Sequence, residues 1–248
     1  VDVAAPSIQP TVEMITYFAI IGTYVGIIPV MIGLLWFPFI SKLSRSKYKF
    51  FLALTVGLLL FLGISAAEEA IEISSENLSD VFNGVLLVAT VSVVSFLALN
   101  FVGEKLIKRA GASKLAGPVA IALMIAIGIG LHNFGEGLAI GAAIVLGEAA
   151  LGAFLIVGFA LHNTTEGFAI AAPMARTKLM IGRLAAMGMI AGVPAIFGAW
   201  VGGFVYSPLA AVIFLAIGVG AIFQVIVLII RWIQNEEGKL SNSSVLAG

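Results

Sequence analysis

The chain is expected to fold as an all-α polytopic transmembrane helical bundle, and three observations point there. Hydrophobic residues make up 61% of the 248 positions and charged residues 10%, with a mean hydropathy of +1.15, a balance that a water-soluble domain cannot carry. Seven apolar stretches, joined by short connections, are each long enough to cross a hydrocarbon core about 30 Å thick. All thirteen lysines and arginines fall in alternate connections, on one side of the implied membrane.

Taken in order, the first span, Met14–Phe39, leads into a connection carrying Lys42, Arg45, Lys47 and Lys49. The second, Phe50–Ala67, leads into an acidic loop with Glu68, Glu69, Glu72, Glu76 and Asp80. The third, Val81–Val102, is followed by Lys105, Lys108, Arg109 and Lys114. The fourth and fifth, Val119–Leu146 and Ala150–Ala172, are joined by a tight turn near Gly147. Arg176, Lys178 and Arg183 follow the fifth; the sixth is Ile181–Val205; the seventh, Pro208–Ile230, runs into Arg231 and Lys239. The positive-inside bias makes the basic side cytoplasmic, which puts the amino terminus and the acidic loop outside a plasma (cell) membrane. The 28 glycines spread through the spans suit close helix packing in lipid. The tail SNSSVLAG reads either as the start of a further span or as a plain cytoplasmic tail. On the first of these, residues 1–248 are a single transmembrane domain truncated before its last span.

The same composition excludes several functions. A formal net charge of zero with no basic surplus argues against nucleic acid as a partner. The absence of cysteine removes disulfides, thiolate ligands and thiol nucleophiles. No G-x-x-x-x-G-K-[ST] loop is present, which excludes an ATP-driven pump of that class. No secretory signal is visible in VDVAAPSIQP, which lacks a basic region and an apolar core.

Both histidines sit in two copies of one phrase, Leu131-His132-Asn133-Phe134-Gly135-Glu136-Gly137 and Leu161-His162-Asn163-Thr164-Thr165-Glu166-Gly167. Ionisable side chains at that depth cost about 2.5 kcal/mol or more each and tend to be kept for function. Residues four apart share a helix face, so His132 projects with Glu136 and His162 with Glu166, while Asn133 and Asn163 flank those faces. Each histidine is fifteen residues from Gly147, hence roughly 22 Å from the turn and at matching depth. Glu136 and Glu166 then lie one turn to either side, making a ladder long enough for one metal ion or two. Imidazole with carboxylate suits zinc, iron(II), cobalt, nickel or manganese rather than copper(I). The plainer alternative is a pair of structural histidines; the repetition of Asn and Glu at identical offsets argues against it.

At this motif the chain resembles the ZIP family (Zrt/Irt-like proteins) of divalent metal transporters, whose fourth and fifth spans carry His-Asn-x-Pro-Glu-Gly or a close variant. Gly57-Leu58-Leu59-Leu60-Phe61-Leu62 resembles the family more weakly. The resemblance implies eight spans in the complete protein, both termini outside, and a homodimer as an allowed assembly. It implies that His132, Glu136, His162 and Glu166 bind the transported metal, and that Asn133 and Asn163 share a second position bridged by the glutamates. Zinc comes first among the expected substrates, followed by iron, manganese, cobalt and cadmium, with no organic cofactor. The chain departs from the pattern at Gly135 and Thr165, which replace the motif proline, at Val193, where many relatives place a glutamate, and in span seven, where Gln224 is the polar side chain. Those departures imply a weaker site that one metal can fill. The kink supplied by the missing prolines must come from glycine flexibility or hydroxyl bonding to backbone.

The expected function is therefore a secondary carrier moving a divalent transition metal into the cytoplasm, and not an enzyme. A membrane-embedded metal enzyme is the first alternative, but di-iron bundles use Glu-x-x-His, whereas the spacing here is His-x-x-x-Glu. A serine hydrolase lacks its G-x-S-x-G. An ion channel would show non-saturating flux.

Overall fold

The computed structural model describes residues 9–78, 83–109, 116–175, 181–205 and 207–245, which form helices and no strand. Span one is composite: α1 (Val12–Gly22), a π turn over Thr23–Ile27, α2 (Ile28–Leu34) and a short α3 (Phe37–Ile40). Spans two to five are single helices, α4 (Arg45–Asn77), α5 (Gly84–Arg109), α6 (Ala116–Val145) and α7 (Ala149–Met174). Span six is α8 (Ile181–Gly192) followed by α9 (Pro194–Phe204), and span seven is α10 (Pro208–Val245). Among the described residues, seven helical segments are long and apolar enough to cross a membrane. The architecture is that of an integral membrane protein built as an all-α bundle.

Three details differ from the sequence expectation. Helix α4 continues ten residues past Ala67, so Glu68, Glu69, Glu72 and Glu76 stand on a helix and not in a loop. No glycine or proline interrupts residues 64–77, and the glutamates and alanines there favour continued helix. Asp80 lies outside the described residues, as do Lys114, Arg176 and Lys178. Helix α10 likewise continues past Ile230 to Val245 and takes in residues 241–245 of the tail. Spans one and six, single segments by hydropathy, are both broken. Pro29 and Pro194 sit at N1 or N2 of the second piece in each, where the missing N–H is tolerated but the preceding ladder stops.

The hairpin between α6 and α7 closes through a glycine that the geometry demands. Gly147 has φ +77°, its N–H donates to Ile144 O at 3.2 Å, and the N–H of Glu148 donates to Ala143 O at 2.9 Å. This is the Schellman pattern, which favours glycine because a Cβ is strained in the left-handed region.

The helices pack in two groups. Spans one, four, five and six form one, with α6 against α9 and α2 against α7; spans two, three and seven form the other around α10, which joins them by lying on α6. Close approach in the first group depends on the glycine that follows each motif glutamate. A Cβ at Gly167 would meet Val30 O and lie 2.9 Å from Gly33 Cα, and one at Gly137 would meet Ala195 O. The two broken spans also touch each other, at Gly26 and Gly192. An apolar core including Leu34, Leu52, Met124, Ile170, Met187 and Ile229 fills the end of the bundle that carries the basic residues. There the Tyr48 hydroxyl donates to Ala172 O at 2.9 Å and accepts from Trp232 Nε1 at 3.0 Å, tying α4, α7 and α10 together.

Candidate metal centre

The six residues singled out by the repeated motif lie on the two arms of the Gly147 hairpin. His132, Asn133 and Glu136 belong to α6; His162, Asn163 and Glu166 belong to α7. His132, Asn133, Glu136, Asn163 and Glu166 are buried, and the His162 side chain keeps only 15% of its exposure. The imidazoles face one another across the helix pair, with ring centroids 6.2 Å apart, as equal distances from the turn require. Phe159 stacks edge-on against His162, whose ring is also held by the backbone of Gly158. A Cβ at Gly218 of α10 would stand 3.3 Å from His132 Cα, so this glycine lets α10 lie close against α6 at the histidine.

Glu136 is the hub. Its Oε1 lies 3.0 Å from His132 Nε2 and also meets His162 Nε2, while its Oε2 accepts from Asn163 Nδ2 at 3.0 Å. Helical side chains lean toward the amino terminus of their helix, which carries this carboxylate back to the level of the imidazoles. Ligand atoms of His132, Glu136 and His162 all fall within 4.8 Å of one another, a grouping that could hold a metal ion. Two imidazole nitrogens and a carboxylate oxygen, brought together out of water, are a donor set suited to zinc and neighbouring divalent transition metals.

Glu166 stands outside that triad. Both of its carboxylate oxygens are buried without a hydrogen-bond partner, and so are the Oδ1 atoms of Asn133 and Asn163. Glu166 lies within electrostatic reach of His132, Glu136 and His162 and beside the Asn133 amide. A buried acceptor left without a donor costs about 1–3 kcal/mol, and more when charged. Four such acceptor oxygens on one short stretch of two helices are of the kind that a cation satisfies. The residues present therefore match the donor chemistry of a divalent ion, nitrogen-rich at the triad and oxygen-only beside it.

The hydroxyls that replace the motif proline bond to backbone: Thr165 Oγ1 donates to His162 O at 2.6 Å and Thr164 Oγ1 to Ala160 O at 3.1 Å. Gln224 is fully buried on α10 with both amide atoms unpartnered.

One residue near the centre escapes a motif-based reading. Glu69, on α4, is half-buried and lies within electrostatic reach of Glu136 and His132. Glu72 and Glu76, which share its helix face, are exposed. The spacing 69, 72, 76 was the available signal, because positions i, i+3 and i+7 line up on a helix, but only if the segment is helical. Compared with known protein families, curated proteins and solved structures, the chain matches none of them.

Proposed function

We propose that this protein is a carrier of divalent transition-metal ions, zinc foremost, akin to ZIP transporters, and that it moves its substrate toward the side bearing the basic residues. The observation that carries this reading is the convergence of His132, Glu136 and His162 on one point between two apolar spans. The unpartnered oxygens of Glu166, Asn133 and Asn163 support a second position next to it.

The chemistry follows from the side chains. The line Glu76, Glu72, Glu69 attracts cations at the acidic end, an effect that salt screens. At the centre the ion exchanges water for the Nε2 atoms of His132 and His162 and the carboxylate of Glu136. Binding displaces any proton on those nitrogens, because a metal ligand must offer its lone pair. Glu136 and Glu166 together balance the double positive charge in a region that cannot solvate it. Release to the basic side requires helix movement, since the apolar core there is packed.

The test is zinc uptake into liposomes containing the purified protein, with metal content of the protein measured in parallel. Saturable uptake, competition by cobalt or cadmium, and stoichiometric bound metal are expected. Protein that is monodisperse and helical yet binds no divalent metal would sink the proposal, and bound metal with non-saturating flux would replace the carrier by a channel.

A further inference from the structure

Each motif asparagine uses its amide nitrogen on a backbone carbonyl at a break in a neighbouring span. Asn163 Nδ2 donates to Val25 O at 3.1 Å and to Glu136 Oε2 at 3.0 Å, so both of its N–H groups are engaged. In an unbroken helix Val25 O would receive the N–H of residue 29, and Pro29 has none. Asn133 Nδ2 donates to Ala191 O at 3.1 Å, in the last turn of α8. There Pro194 withholds the N–H that Ile190 O would receive, and the N–H of Ile196 turns to Val193 O at 3.0 Å. The in-register donor of Ala191 O is Ala195, so the missing N–H of Pro194 does not itself free that carbonyl. The arrangement is reciprocal: span five grips the break in span one, and span four grips the break in span six.

An unrestrained asparagine amide can present either its NH2 or its oxygen, since the two ends are alike in size. Here the carbonyls hold the NH2 ends, and both Oδ1 atoms are left as buried acceptors without partners. We propose that Pro29 is a positioning residue for the centre: by withholding the backbone donor that Val25 O would otherwise receive, it leaves that carbonyl to hold the NH2 end of Asn163. With its NH2 shared between Val25 O and Glu136 Oε2, Asn163 has only its Oδ1 left to offer a ligand, and such an acceptor suits a cation. This goes beyond the carrier reading, because it concerns the polarity of one amide and makes Asn163 answer to a proline on another helix.

Four proteins test it: the parent, Asn163→Asp, Pro29→Ala, and the double variant. Each is measured for melting temperature without metal and for zinc affinity by chelator competition. Asn163→Asp supplies a stronger ligand but no donor, and sets a carboxylate against Val25 O and Glu136. It should lower the melting temperature by about 5 °C and zinc affinity by about tenfold or more. In the Pro29→Ala background the N–H of residue 29 takes over the Val25 carbonyl, so both losses should shrink by at least about half. Asn163→Asp that binds zinc as tightly as the parent, or equal losses in the two backgrounds, overturns the proposal. Should Pro29→Ala not fold, Pro29→Ser, which restores the same N–H, runs the same cycle under the same criteria. A parent that binds no zinc refutes the carrier reading, while the melting cycle still decides this one.

Discussion

Replacing Glu136 by glutamine is the sharpest perturbation of the centre, because the change keeps the shape of the side chain and removes its charge. The carboxylate meets both histidine Nε2 atoms and the Asn163 amide, at 3.0 Å for His132 and Asn163. An amide can accept from one of these donors and must turn its own NH2 toward another. The ion also loses one of the three ligands of the triad, the one that carries negative charge. Neutralising one member of a buried, hydrogen-bonded charge pair costs about 2–5 kcal/mol, and a middle value of about 4 kcal/mol is roughly a thousandfold in affinity. Competition against a chromogenic zinc chelator reads this directly, with helix content and elution profile as folding controls. An affinity within about threefold of the parent, under 1 kcal/mol, would refute the assignment of Glu136 as a ligand.

Three other outcomes follow from the same geometry. Glu166→Gln should raise the melting temperature of the metal-free protein by a few degrees, since it neutralises a buried acid whose oxygens have no well-formed hydrogen bond, while zinc uptake falls; a lower melting temperature would mean that the neighbouring Asn133 amide pairs with the carboxylate. Zinc affinity should fall on acidification from about pH 8 to about pH 5, by up to about tenfold per pH unit for each proton the metal must displace from an imidazole; a flat titration would argue against His132 and His162 as ligands. Gly167→Ala should cost about 1–3 kcal/mol by overpacking, because its methyl meets Val30 O and stands 2.9 Å from Gly33 Cα; an unchanged melting temperature would show that α2 and α7 separate easily.

Much of this molecule is legible before any coordinates. Apolar runs of spanning length need only composition, and all seven are where hydropathy puts them. The equal depth of His132 and His162 needs only the rise of a helix and the position of Gly147, whose left-handed φ confirms the turn. The ends of α4 and α10 were harder to read. Hydropathy stops at the first charges, whereas a helix stops where its backbone donors and acceptors find other partners, so Glu68 to Glu76 were misread as loop.

From the sequence alone come the class of the protein, its span count, and the two helix faces that carry histidine and glutamate, because period and polarity act within one segment. Tertiary structure alone decided that Glu136 serves both imidazoles while Glu166 stays unpartnered, and that Asn133 and Asn163 bind carbonyls beside Pro194 and Pro29. These are choices among rotamers and among partners that range from 4 to 138 residues apart in the chain, made by how closely Gly137 and Gly167 let the broken spans approach. No local pattern encodes such a distance; it exists only once the helices have packed.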